Sequence, residues 1–265
     1  AYAVGVADTG FLKEHYSATF QTHAPSLAKI LAEQIKSGNW ALHGKDILLI
    51  RWLHLLEQVG SAAHAADVYS LWPKIQDDSG RSSVLSLLSK WHAPLAVTEA
   101  QQVIAQSLSN PQLDHSLAVS SAGRYLRTLA ADGNGEAALA LGTLWQASGS
   151  SVPSTPKESA AEQASSVRRR QGVRCLLVFS YHHIKPMPPA TEVAALIDSP
   201  CRHDMSILLD TPDPYLVDGL VLALSKARKD AADTDALRSA LAWQCAKRLR
   251  LAVCKKAAPY LQGVR

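Results

Sequence analysis

The residues of this chain that could support catalysis or bind a metal are ten histidines, four cysteines and one Gly-x-Gly turn. The turn, Asp132-Gly133-Asn134-Gly135, invites two ligand-binding readings. A phosphate-cradling loop needs a strand before its first glycine and a third glycine where Ala138 stands, and the preceding segment reads as helix. A calcium loop with Gly135 as its invariant glycine would put Ala130 at the first ligand position and Leu141 where a bidentate carboxylate belongs. Neither side chain can hold the ion, so the turn reads as a tight connection between helices. His182-His183 and His203-Asp204 carry what acid–base or metal potential remains. Adjacent histidines on a helix diverge by about 100°, and no His/Cys spacing of a zinc type occurs. No Gly-x-Ser-x-Gly elbow is present, and Cys175 lies in an apolar run that blunts a thiol. The sequence therefore predicts no catalytic residue, no cofactor and no metal.

Charge carries more. The chain is +4 overall, but residues 1–165 hold 11 Lys and Arg against 14 Asp and Glu, whereas residues 166–265 hold 16 against 9. Two basic clusters result: Arg168, Arg169, Arg170 and Arg174, and then Lys247, Arg248, Arg250, Lys255 and Lys256. Guanidinium forks suit carboxylate or phosphate partners. Cations near a helix C-terminus also complement the macrodipole, which is the plainer explanation of the second cluster. These nine residues are the expected partner contacts. Tyr181, Trp243 and Tyr260 could stack on bases, but they fall mostly at apolar positions.

The elements that position these residues read as helices. Apolar residues make up 47% and charged residues 19% of the 265, with abundant Ala and Leu and little Phe or Met, a composition that favours a folded helical chain. One helix is expected to begin near Phe11 and another at Pro25, ending at Gly38. Three hairpins follow: Ile47–Val59 with Ala62–Ile75, Ser82–Lys90 with Pro94–Leu108, and Asp114–Ala131 with Gly135–Ala147. Their second helices start near Ala62, Leu95 and Glu136, spaced 33 and 41 residues apart, in or just above the range of helical-hairpin arrays. The Ser/Pro/Ala-rich stretch 148–166 reads as a linker, dividing a repeat region (1–147) from a basic helical region (167–265). In the latter, Val173–Phe179 is open between helix and strand, with helix favoured by context. Helices are further expected from Thr191 to Asp198, from Asp213 to Lys229 and from Asp233 to Lys255. The cysteines form no CxxC pair and are expected as reduced, mostly buried thiols, with a Cys175–Cys201 bridge left open. No apolar run reaches the roughly 18–20 residues of a membrane-spanning helix. Ala1 rather than Met opens the chain without a secretory leader pattern, and both a processed N-terminus and a cut boundary fit that start.

The segments Gly60–Trp72 and Gly133–Trp145 are counterparts, each a turn followed by a small-residue helix ending in Trp. Here the chain resembles the pentatricopeptide and tetratricopeptide class of helical-hairpin repeats, most closely at Leu126–Leu139. The resemblance spans about residues 46–150. The family's regular period of about 34–35 residues is not kept, and no polar positions of an RNA-reading code are identifiable. What the resemblance implies is an all-α, irregular α-hairpin repeat array, solenoid-like, with a packed helical C-terminal half. In it, small Ala138 and Gly142 would let helices approach while Leu141 and Trp145 fill the groove. The expected role is a non-enzymatic interaction or scaffold subunit of a larger multiprotein complex, with protein subunits as partners. The alternative is RNA binding through the basic C-terminal surface. The repeat-like turn, the basic C-terminal half and the absent Met together suggest an intracellular, mitochondrial placement.

Overall fold

The computed structural model describes residues 17–38, 47–110, 116–149, 159–178, 180–196, 213–226, 233–245 and 251–261. Every regular element among them is helical, as an all-α fold requires. The chain divides into two compact units, Ala1–Ser107 with His115–Ala140, and Leu108–Asp114 with Leu141–Arg265.

The first unit opens with α1 (Ser17–Ser37) and α2 (Ile47–Val59). The helix expected to start at Pro25 is instead the continuation of α1, which carries that proline inside it. Ala28, Leu31, Ala32 and Ile35 form a buried stripe beyond the proline, and one missing backbone donor does not outweigh it. Helix α2 buries Leu49, Trp52, Leu53, Leu55 and Leu56. Its expected antiparallel partner is broken into a 3-10 turn Ala62–His64, a short α3 (Ala65–Tyr69) and a second 3-10 turn Trp72–Lys74. Then come α4 (Asp78–Lys90), α5 (Val97–Ser109), α6 (Leu117–Ala131) and α7 (Gly135–Gly149). The division between units falls within α7.

Helices α4 and α6 run side by side in one direction. Asp78 of α4 meets Ser116, Ser82 meets Ser121, Ser89 meets Thr128, and His92 meets Asp132, a constant offset of 38 to 40 residues. Increasing number in both partners means parallel axes. The same ends of α2 and α4 meet at Glu57 and Lys90, 33 residues apart. The seam between α4 and α6 is made of small hydroxyls, Ser82 to Ser121 at 2.8 Å and Ser89 to Thr128 at 3.1 Å. At its start the Asp78 carboxylate accepts the Ser116 hydroxyl and the N–H groups of Leu117 (2.6 Å) and Ala118 (3.2 Å). An anion on the first turn of α6 satisfies donors that no helical carbonyl can reach.

Helices α4 and α6 also end alike. Ala93 N–H donates to Leu88 O and His92 N–H to Ser89 O; Asn134 N–H donates to Leu129 O and Gly133 N–H to Ala130 O. Both are six-to-one and five-to-two bonded terminations that place one residue in the left-handed region. Those residues are Gly133 (φ +88°) and His92 (φ 52°). A side chain at Gly133 would meet nothing within 4 Å, so Gly133→Ala isolates the backbone cost. It is expected to lower stability by about 1 kcal/mol, measured by urea unfolding. Buried Tyr125 of α6 ties the two hairpins from the inside. Its hydroxyl donates to Ala93 O (2.7 Å) and accepts the N–H of Ala96 (3.0 Å).

The second unit contains α8 (Ala160–Val178), a 3-10 turn Tyr181–His183, α9 (Ala190–Ala195), α10 (Pro214–Lys226), α11 (Asp233–Cys245), α12 (Ala252–Lys255) and a 3-10 turn Ala258–Tyr260. Helix α8 settles Val173–Val178 as helix and begins inside the stretch expected as linker. Of that stretch, residues 150–158 lie outside the described residues. A capping box starts α8: Glu162 N–H donates to Ser159 Oγ (3.3 Å) and Ser159 N–H to Glu162 Oε2 (2.8 Å). Ser159-x-x-Glu162 was the signal in the sequence that marks this start.

Two glycines set close approaches. A Cβ at Gly142 would overlap the Lys185 carbonyl, and one at Gly219 the Ala190 carbonyl. The helix expected over Asp233–Lys255 is not continuous, because Leu251 is extended (φ −70°, ψ 136°) and α12 restarts after it. Cys245 and Cys254 form a disulfide, and Cys175 is disulfide-bonded as well. Among the described residues no cysteine is a free thiol, which overturns the reduced state expected from the spacing. The Cys245–Cys254 pairing, with Cα atoms 5.3 Å apart, is incompatible with the single long helix expected over these residues.

Candidate functional site

The basic residues of α8 do not share one face. At about 100° per residue, Arg170 and Arg174 lie together while Arg168 projects well away from them. Arg168 is exposed. Arg169 is partly buried, donating from Nη1 to Ser165 Oγ (2.8 Å) and from Nε to Leu108 O (3.4 Å). Arg170 is half-buried, and its Nε has no hydrogen-bond partner. Arg174 is built into the unit: its Nη2 donates to Glu192 Oε2 (2.9 Å), and its guanidinium stacks over Trp145 at 4.9 Å from the ring centre. The indole Nε1 of Trp145 donates to the same Glu192 oxygen at 3.0 Å. One carboxylate thus serves a cation and an indole that also face each other, an arrangement that orders α7, α8 and α9.

In the second basic cluster, Lys255 is exposed and Lys256 pairs with Asp218 of α10. Lys247, Arg248 and Arg250 lie outside the described residues. Of the aromatic candidates, Tyr181 is buried and Tyr260 half-buried, but Trp243 is 68% exposed on α11. Of these three, expected mostly at apolar positions, Trp243 is the one left open. The buried side of α11 is instead Ala240, Leu241, Gln244 and Cys245. A tryptophan this open presents a large apolar surface with one hydrogen-bond donor, the side chain most enriched at the centres of protein interfaces. Trp52 and Trp145 are buried, as the packing of helical hairpins requires.

Two His–Asp pairs could move protons. His92 Nδ1 meets the Asp132 carboxylate at the mouth of an open depression of about 470 Å³, lined also by Pro94, Leu129, Gly133 and Asn134. No nucleophilic side chain lines it. The second pair is better fixed. Asp213 begins α10, its N–H donating to Gln244 Oε1 (3.0 Å) while its Oδ1 accepts the Tyr215 N–H (3.0 Å). The other oxygen lies 2.8 Å from His182 Nε2, and the Tyr181 ring lies 4.0 Å from the imidazole centre. Partial burial, then the neighbouring His183, hold His182 below the ordinary imidazole range. At neutral pH the ring is uncharged, and its Nε2–H donates to Asp213.

The native state then binds fewer protons than the unfolded chain near pH 6.5. The contribution of His182 is full above that pH and is lost as pH falls below it. His182→Gln is expected to flatten the acid side of a stability–pH profile below the ordinary imidazole range. The effect is small, because the side chain is half exposed. Equal slopes in both proteins would refute it.

Among the described residues no group of three His, Cys, Asp or Glu side chains could hold a metal ion, and no helix is long and apolar enough to cross a membrane. The chain matches no family model, no curated protein and no solved structure.

Proposed function

We propose that the chain is a non-enzymatic interaction or scaffold subunit of a larger multiprotein complex, placed in the mitochondrion. On this reading its hairpins are a degenerate, solenoid-like relative of the pentatricopeptide and tetratricopeptide arrays. The observation that carries the proposal is the common direction and fixed register of α4 and α6, Asp78 to Ser116 through His92 to Asp132. Hairpins stacked this way share one core and turn the outer faces of their second helices to the surface. On α5 that face includes exposed Thr98, Gln102 and Ala105. Extended surfaces of this kind bind other chains, and Trp243 supplies an anchor.

The test is gentle isolation of the tagged full-length protein from its own cells, with nuclease and moderate salt. A fixed set of proteins should remain bound, and Trp243→Ala should reduce their recovery about tenfold or more. Recovery of the chain alone would overturn the proposal.

A second reading, RNA binding through the basic C-terminal surface, is favoured by one observation. No acidic residue follows Asp235, while Arg238, Lys247, Arg248, Arg250, Lys255, Lys256 and Arg265 do. It requires an affinity that falls steeply with salt and weakens when Arg168 and Lys255 are neutralised. Partners that vanish on nuclease treatment would favour it over the scaffold.

A further inference from the structure

We infer that the Cys245–Cys254 bond is a permanent structural staple, formed by a disulfide-donating oxidant, and that the chain acquires its fold in an oxidising compartment. The two cysteines are nine residues apart with Cα atoms 5.3 Å from each other. Nine residues of continuous helix would separate them by about 13.5 Å. The two cysteines therefore do not sit on one continuous helix, and Leu251 is extended at the start of α12.

What holds the segment that begins with α12 is mainly the covalent bond. Helix α12 has four residues, far too few to persist by its own hydrogen bonds. Its other ties are the burial of Cys254 and Ala257 and the Lys256–Asp218 pair. That pair is exposed on both sides, and such pairs contribute little. Next to the staple, fully buried Gln244 accepts the N–H of Asp213 through Oε1, so the bond also fixes the residue that positions the start of α10.

The bond is unsuited to cycling. Both cysteines are 0% exposed, so no attacking thiolate reaches either sulfur in the folded state. The spacing is not CxxC, and Cys175, itself bonded, offers no resolving thiol. In forming the bond the two thiols lose two electrons and two protons to the donor's disulfide, which leaves as a dithiol. A reducing compartment would keep them as thiols. The intracellular, mitochondrial placement raised above then narrows to a compartment that oxidises thiols.

Two measurements on the full chain decide this. Protein taken from its own cells is denatured in iodoacetamide without reductant and mapped by mass spectrometry. The expected result is that Cys245 and Cys254 are alkylated only after reduction; alkylation of both beforehand overturns the compartment. Separately, the oxidised folded protein is compared with protein reduced by dithiothreitol in denaturant and returned to native buffer with the reductant still present. Reduction is expected to lower Tm by about 5–10 °C and to speed hydrogen exchange in residues 251–261 at least tenfold. Identical Tm and exchange in both states overturn the staple. Thiol alkylation confirms that the bond is open in the reduced sample, and the wild-type chain gives this answer even where Cys245→Ser with Cys254→Ser does not fold. Neither readout depends on which partners the chain binds.

Discussion

Tyr125→Phe is expected to destabilise the protein by about 1–3 kcal/mol for the buried group it strands. The group left without a partner is the N–H of Ala96, at the turn between α4 and α5, whereas the carbonyl of Ala93 keeps the N–H of Leu95 (2.9 Å). The side chain is fully buried, so water cannot replace the lost hydroxyl. Tyr125→Ala adds the loss of a large core side chain, for a total of about 3–5 kcal/mol or more. Urea unfolding of the three proteins separates the polar from the packing contribution.

An independent signature lies in alkaline pH. Burial pushes the Tyr125 phenol up to about 12, against about 10 in an unfolded chain. Between these values the native state holds a proton that the unfolded state has released. Stability from this group is complete below pH 10 and is lost as pH rises through 12. That slope should be absent in Tyr125→Phe. A loss below about 0.5 kcal/mol together with an unchanged alkaline slope would refute the tie between the hairpins.

Gly142→Ala has the second large effect, and its sign is the diagnostic. In a helix interior, replacing Gly by Ala ordinarily stabilises by about 0.5–1 kcal/mol. At Gly172 of α8 nothing lies within 4 Å of the new methyl, and that gain is expected. At Gly142 the methyl would occupy the place of the Lys185 carbonyl. The obstacle is backbone, which no rotamer change removes. The expected outcome is a loss of about 3 kcal/mol, at the upper end for overpacking. Paired thermal or urea melts of the two variants check this, and equal signs would show that the turn at Lys185 yields.

The helical character was legible because its signals are local. Asp77 and Ser116 cap α4 and α6, each accepting a backbone N–H through its side chain. Gly133 ends α6 with the positive φ that glycine favours. The helices at Val97 and Gly135 begin within two residues of the expected starts, whereas the one expected from Ala62 opens as a 3-10 turn and becomes α-helical only at Ala65. Misreadings arose where a local rule met a tertiary one. Pro25 looks like a first helical residue, yet the buried stripe beyond it sustains a helix begun at Ser17. Gly142 was expected to ease the approach of two helices. It is indeed a close contact, but with the turn at Lys185, which helical periodicity cannot indicate.

The site is less legible than the fold. Arg168, Arg169, Arg170 and Arg174 adjoin in sequence, but Arg174 is committed to Glu192 and Trp145, and Arg169 to Ser165 and Leu108. Composition counts charges without recording which are already paired. On the last helix the expected core residues Leu241 and Cys245 are buried and Trp243 is open, but the break before α12 and the Cys245–Cys254 cross-link were not foreseen. Pairing across a helix break is a non-local event, and neither periodicity nor spacing encodes it.

The hydroxyl seam of α4 and α6 has a mechanical corollary. Its contacts, from Asp78 with Ser116 to His92 with Asp132, run in a row along two parallel axes. A load drawing one helix lengthwise past the other strains all of them at once, whereas a load prying the pair open at one end breaks them in succession. The pairing of α4 with α6 should therefore be stiff against sliding and compliant against peeling.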